Sequence, residues 1–286
     1  MTGPGPFPVG EVLAFLGARA VPGIEAWTGE RYVRTLDLPH GHGVAIVGAT
    51  PEPEDAGVTV ELRLEDERDE AEAERRVRRL LDVDADTVAV ARVLGADPAL
   101  APLVAASPTR RVPGSVDPFE TTVRAIVGQQ VSVAGARTVA GRIVGALGHE
   151  LRVDGGGLVT RVFPTPGALA DADPALFPMP RSRAATIGAV AGLVATGDLH
   201  LDAGADRDEL RPTLLAVPGI GPWTVDYVLM RGLSDPDVFL PTDLGVRVGL
   251  SRLGLDVARA GRWRPWRSYA LHHLWALAAR PIEPAA

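Results

Sequence analysis

The sequence predicts an α+β fold, in which a mixed α/β domain over residues 1–109 is followed by an all-α domain over residues 110–286. Short alternating or continuous apolar runs lie between Pro/Gly turns in the first 64 residues, and helical periodicity prevails from Phe119 onward. The charge shifts between the same two parts. Residues 1–109 carry 10 Arg against 19 Asp and Glu, net −9, whereas residues 110–286 carry 19 Arg against 17 acids, net +2.

The elements follow in order. Val9 to Arg19 has helical spacing through Val12, Leu13 and Leu16, and Tyr32 to Leu38, Gly43 to Ala49 and Val58 to Leu64 read as strands. Glu67 to Leu81 is a charged helix whose few apolar positions, Val77, Leu80 and Leu81, leave the rest as a solvated face. In the second part, Asp117-Pro118 caps a helix through Val127, and Ser132 to Leu147 continues after a Gly-Gln-Gln interruption. Pro166 to Phe177, Arg183 to Ala195, Asp208 to Val217, Pro222 to Gly232, Leu244 to Leu253 and Pro265 to Ala279 complete the helical set. Short helices joined by Pro/Gly turns, with no internal repeat, imply one packed helical body.

Composition closes several chemistries. The chain has no cysteine, which excludes disulfides, thiolate zinc sites, iron–sulfur clusters and cysteine nucleophiles. All 29 basic residues are Arg, and a guanidinium that stays protonated cannot form a Schiff base. The six His residues show no metal-ligand spacing. A net charge of −7 does not advertise a nucleic-acid protein, so any DNA contact falls to the second half. Met1-Thr2-Gly3-Pro4 is no targeting signal and the longest apolar stretch, Ile187 to Ala195, is too short to span a bilayer, so a cytoplasmic location without a membrane partner is expected.

The most informative stretch runs from Leu214 to Tyr227. An amphipathic helix ends at Val217, Pro218-Gly219-Ile220-Gly221 reverses the chain, and a second helix begins at Pro222. Gly219 and Gly221 permit close backbone approach, and free amides at the start of the second helix form a phosphate site that needs no basic side chain. The same turn also suits two packed helices that bind nothing. Downstream, Val238-Phe239-Leu240-Pro241-Thr242-Asp243 delivers an Asp to the start of a helix, where it is either an N-cap or a rigidly held carboxylate, or both.

Taken together, Pro-Gly-Ile-Gly-Pro-Trp-Thr and Val-Phe-Leu-Pro-Thr-Asp resemble the helix-hairpin-helix-Gly/Pro-Asp superfamily of DNA glycosylases, and more narrowly its AlkA-type DNA-3-methyladenine glycosylase II members. The resemblance extends over Phe15 to Leu38, Val112 to Phe119, Arg124 to Val133, Phe163 to Pro166 and Trp266 to Trp275. It implies an N-terminal domain like half of a TATA-binding protein, packed on the helical domain. It also implies hydrolysis of alkylated bases, chiefly 3-methyladenine, from duplex DNA by base flipping, carried out by a monomer.

By this resemblance Asp243 is the catalytic carboxylate, opposing the positive charge that develops on the deoxyribose. Trp223, Tyr227 and Trp275 line the pocket for the rotated base, and electron-rich rings attract an electron-poor purine. Gln129 and Gln130 enter the minor groove, Gln130 standing where a leucine is the wedge in a well-known member. Gly219, Gly221 and Thr224 contact the DNA backbone. Strand-cleaving relatives place a lysine at the position of Trp223, so a monofunctional glycosylase is expected. No cofactor is required, although a sodium or potassium ion on the carbonyls of Leu215, Val217 and Ile220 is implied at the hairpin. Two alternatives stay open: a catalytically inactive DNA-binding or lesion-sensing protein, and a glycosylase for oxidised or deaminated bases.

Overall fold

The computed structural model describes residues 6–50, 57–202 and 204–281. The chain opens with α1 (Val9–Gly17), then β1 (Glu25–Trp27), β2 (Tyr32–Leu38), β3 (Gly41–Ala49) and β4 (Val58–Leu64), which form an antiparallel meander in chain order. After a 3₁₀ turn, α2 (Glu70–Leu81) completes this layer. Tyr32, Leu36 and Leu38 alternate onto one sheet face and pack with Leu13 and Leu16 of α1 and with Val77, Leu80 and Leu81 of α2. Arg34 shares that inward face, directly opposite Glu25 of β1.

The remaining elements are α3 (Thr87–Gly95), α4 (Ala101–Ala106), α5 (Pro118–Val127), α6 (Val133–Leu147), β5 (His149–Glu150), β6 (Arg161–Val162), α7 (Pro166–Ala170), α8 (Arg181–Thr196), α9 (Arg207–Leu215), α10 (Pro222–Gly232), α11 (Leu244–Arg252) and α12 (Arg267–Ala279). Side-chain caps define the expected starts: Asp117 accepts from the Phe119 amide, Ser132 from Gly135 and Asp243 from Val246. No helix among the described residues is long and apolar enough to cross a membrane.

The second part is not purely helical. Strands β5 and β6 pair antiparallel, and Leu151, Val153 and Val159 of their connection cover the outer face of the sheet at Val33 and Val44. The stretch expected as one helix from Pro166 to Phe177 stops at Ala170 and resumes only as a 3₁₀ turn over Pro174–Leu176, where a proline enters the run. The final helix begins at Arg267 rather than Pro265, preceded by a 3₁₀ segment over Val257–Trp263.

Apolar packing also divides the chain differently from charge. Although α3 and α4 lie within the acidic first 109 residues, Val90, Leu94, Leu103 and Val104 join the core of the helical body. Asp97 between them accepts from Arg259 at 2.8 and 2.6 Å and from Trp263 Nε1 at 2.8 Å, fastening this segment to the end of the chain.

A buried ion network ties the sheet to α5. Arg34 donates to Glu25 at 2.6 Å and also to Glu120, while Arg124 donates to Glu25 at 3.0 Å and to Glu120 at 2.8 Å. Burial alone would raise the Glu25 carboxyl, but Arg124 and Arg34 together hold it down at about 2.

These buried groups set the response to acid. Burial keeps His272 far below the usual imidazole range and His273 near about 3, so the unfolded chain takes up protons below pH 6.5 that the folded one refuses. Asp82 and Asp117 act in the opposite sense: burial pushes each up to about 6, so the folded chain gains their protons first. The two effects offset between about pH 6 and 4.5, below which Glu25 adds to the loss as it protonates towards 2. The melting temperature should therefore stay nearly level from pH 6 to 4.5 and drop steeply beneath. Asp82→Asn, lacking one offset, should begin its decline already at pH 6, and thermal denaturation across pH distinguishes the two profiles.

Candidate active site

The hairpin forms as its residue types require. Helix α9 ends at Leu215, and Gly219 adopts φ +91°, a left-handed conformation that favours glycine. A Cβ there would also lie 2.2 Å from Thr186 Oγ1, whose hydroxyl instead donates to the Pro218 carbonyl at 2.9 Å. Gly219→Ala should thus cost about 1–3 kcal/mol from strain at this position, read by thermal denaturation. The amides of Ile220, Thr224 and Val225 are spent on Val217 and Gly221 carbonyls. Those of Gly219, Gly221 and Trp223 meet no acceptor among the described residues and stand at the N-terminal, positive end of α10.

Gln129 reaches this turn from the α5–α6 connection. Its Nε2 donates to the Gly219 carbonyl at 3.0 Å and to Thr224 Oγ1 at 3.1 Å. Thr224, expected to contact the DNA backbone, is buried, and its hydroxyl braces the hairpin from inside. Gln130 is exposed with φ +58°, at the tip of the same connection.

Beside the hairpin opens a cleft of about 530 Å³, inside the ~300–1,000 Å³ range of ligand sites. Trp223, Tyr227 and Trp275, named from the sequence on α10 and α12, all line it together with Asp243. Trp223 stacks on Tyr227 with centroids 5.2 Å apart, while Trp275 stacks on Phe15 at 6.3 Å and leans on His272 at 5.0 Å. Leu244, next to Asp243, stands at the rim with 77% of its surface exposed.

Asp243 combines both readings of its position. Its Oδ1 caps α11 by accepting from the Val246 amide at 3.0 Å and also accepts from Trp275 Nε1 at 2.7 Å. Among the described residues its Oδ2 accepts only from Trp223 Nε1, at 3.2 Å. One oxygen is saturated; the other keeps lone-pair capacity within the cleft. Such an arrangement holds a carboxylate in one orientation and leaves it able to face developing positive charge.

Three contributors escape a reading of the sequence. Arg19 of the N-terminal layer also lines the cleft, lying 3.7 Å over the Phe15 ring and donating to the Phe15 carbonyl at 3.1 Å; burial draws its guanidinium down to about 10. Gly245 makes room for the Trp275–Asp243 bond, since a Cβ there would sit 2.7 Å from Trp275 Cδ1. Gly249, one turn on, lets α11 approach α12, where a Cβ would meet the Leu274 carbonyl at 2.7 Å. The spacing of Gly245 and Gly249 on one helical face just after Asp243 is the signal that could have indicated this close crossing.

Comparison with known proteins adds a lineage to this geometry. A family model described as the AlkA N-terminal domain matches residues 4–117. A protein of Mycobacterium tuberculosis named "Probable bifunctional transcriptional activator/DNA repair enzyme AlkA" is 45% identical over 284 residues, covering 97% of this chain but 56% of its own length, so the chain spans about half of that relative. The "DNA-3-methyladenine glycosylase 2" of Escherichia coli is 36% identical over 269 residues, 92% of each chain. Among solved structures, a 3-methyladenine DNA-glycosylase from Archaeoglobus fulgidus superposes with a TM-score of 0.83 over 96% of both chains; at 22% identity this is a likeness of fold.

Proposed function

The chain belongs to the AlkA family of DNA-3-methyladenine glycosylases, and from that premise we propose that it hydrolyses the N-glycosidic bond of alkylated bases, chiefly 3-methyladenine, in duplex DNA. The observation that supports this most is the half-satisfied Asp243 carboxylate inside an aromatic cleft. The lesion is rotated out of the duplex and lodges among Trp223, Tyr227 and Trp275, whose faces attract a cationic purine by ~0.5–2 kcal/mol per contact.

With the sugar against Asp243, the bond between C1′ and the base nitrogen breaks and its electron pair leaves with the base, which neutralises an alkylated cationic purine. Oδ2 opposes the positive charge left on the deoxyribose. A water then adds to C1′ and loses a proton to Asp243 or solvent, giving free base and an intact abasic strand. By the family resemblance Trp223 stands where strand-cleaving relatives place a lysine, and a chain without lysine offers no side-chain amine for a Schiff base.

The DNA backbone is gripped through the unpaired amides of Gly219, Gly221 and Trp223, an anion site that tolerates the acidic net charge. Gln129 holds that turn in shape, and Gln130, exposed at its loop tip, fills the space left by the flipped nucleotide. The carbonyls of Leu215, Val217 and Ile220 suit a sodium or potassium ion. Leu215 ends α9, whose last carbonyls lack intrahelical donors, and Val217 accepts one bond, from Ile220, at 3.1 Å. A bound cation would add positive charge behind the phosphate contact.

Incubation with a duplex carrying 3-methyladenine tests the reading. Free base should appear, and the strand should break only after alkali. Binding without release would favour an inactive lesion sensor, release confined to oxidised or deaminated bases would favour a different specificity, and a nick without alkali would contradict the monofunctional assignment. Gly245→Ala gives a graded check. Displacing the Trp275 indole removes a charge-assisted bond worth about 1.5–3 kcal/mol, so single-turnover release should slow roughly ten- to a hundredfold.

A further inference from the structure

The cleft that takes the rotated base is lined by three arginines, Arg19, Arg124 and Arg137, and among its described lining residues Asp243 is the one acid. Two of these arginines fix the backbone of the third. Arg124, paired with Glu25 and Glu120, also donates from Nη2 to the Arg19 carbonyl at 2.8 Å, and Arg137 donates from Nε to the Ala20 carbonyl at 2.8 Å.

Arg19 itself stands against the ring wall. Its guanidinium lies 3.7 Å over Phe15, whose ring stacks on Trp275 at 6.3 Å, and it is near enough to Tyr227 and Asp243 for both to act on its charge. Among the described residues it forms no ion pair, its side chain donating only to the Phe15 carbonyl, at 3.1 Å. Nε and Nη2 meet no acceptor there and are not sealed from solvent. A phenyl face attracts a cation without neutralising it, so the charge stays available to whatever occupies the cleft. Even drawn down to about 10, the group remains protonated at pH 7.

The chemistry gives such a charge a selective effect. Cleavage sends the electron pair of the bond from C1′ to the base nitrogen onto the base, whatever the lesion. An alkylated cationic base ends neutral and, measured from free duplex, gains little from a neighbouring cation. A base that is neutral in DNA departs as an anion, and a guanidinium fixed beside it opposes that growing negative charge. The water that adds to C1′ supplies the hydroxyl there, and its proton balances the base anion. Aromatic walls favour the cationic class of lesion; Arg19 favours the neutral one.

Resting on the glycosylase reading above, we propose that Arg19 is a specificity-determining residue. It extends the range of the cleft from cationic alkylated bases to neutral keto purines that leave as anions, its free nitrogens donating to the keto oxygen.

The test compares the parent chain with Arg19→Met on duplexes carrying hypoxanthine, a neutral keto purine, or 3-methyladenine. The parent should release both, and the ratio of kcat/KM for hypoxanthine to that for 3-methyladenine should fall roughly ten- to a hundredfold in the variant. A merely structural role for Arg19 would lower both rates together, and a ratio held within about twofold would overturn the proposal, as would a parent that releases 3-methyladenine but no hypoxanthine. Arg19→Gln, which keeps a donor for the Phe15 carbonyl but no charge, should lower the ratio as well and serves should the Met variant not fold. A second arm needs no cleavage. Free urate, a keto purine already anionic at pH 7, should quench the cleft indoles and bind the parent roughly tenfold more tightly than Arg19→Met; equal affinity would overturn the proposal. Release of neither base would sink the glycosylase reading alone, and the urate arm would still decide the role of Arg19.

Discussion

Asp243→Asn is expected to slow base release by at least about 100-fold, the scale of losing one preorganised electrostatic group at a reacting centre. The substitution keeps size and capping ability, since Asn is as good an N-cap as Asp. What it removes is the negative charge and one acceptor. The site presents three donors to the carboxylate, from Val246, Trp275 and Trp223. An amide oxygen left on the Oδ1 side satisfies the first two, but the amide nitrogen then meets the Trp223 N–H, donor against donor. That mismatch should cost about 1–3 kcal/mol of stability, far too little to unfold a chain of this size. Single-turnover kinetics on methylated duplex, beside a melting curve, separates the two effects. Undiminished release would remove Asp243 from the chemistry.

Arg34→Met should have the largest effect on stability, about 3–5 kcal/mol, because it leaves Glu25 and Glu120 short of a buried partner. Its acid response follows with a definite sign. In the parent chain Glu25 is held at about 2, against an ordinary 4.5, so its stabilising contribution is present above pH 4.5 and vanishes as pH falls towards 2. Without Arg34 the folded-state value moves up, and the loss between pH 4.5 and 2 should become shallower. Chemical denaturation at pH 7 and at pH 3 measures both quantities. A variant as stable as the parent, with the same acid profile, would show that the network does not hold the sheet against α5.

The contrast between these residues explains how much was legible beforehand. Asp117, Ser132 and Asp243 announce helix starts because a cap acts within one turn, and the Pro218–Gly221 reversal announces itself because only glycine suits φ +91° at Gly219. Arg34 gave no such notice. An Arg in an alternating strand ordinarily marks the solvent face, and its burial is tolerable because Glu25 on the neighbouring strand and Glu120, 86 residues away, both accept from it. Strand β1 is three residues long and has no period to read, while α3 and α4 take their place from Asp97 meeting Arg259 and Trp263 across the fold.

The site shows the same division. Asp243, Trp223, Tyr227 and Trp275 were nameable by type and motif, and all four line one cleft. The bonds from the two indoles to separate oxygens of Asp243 were not: that from Trp275 depends on how closely α11 crosses α12, set by Gly245 and Gly249, and that from Trp223 on where α10 lies beside the start of α11. Arg19 was hidden for another reason: it comes from the N-terminal layer, and nothing local to residues 9–19 says which helix it will face.

The most direct test of the central claim is a crystal structure with duplex DNA carrying a cationic abasic-site analogue. The account predicts the five-membered ring rotated into the cleft, its charged atom within about 4–6 Å of Asp243 Oδ2, with Trp223 and Trp275 still donating to the carboxylate. A ring left stacked in the duplex, or one seated in the cleft away from Asp243, would contradict it.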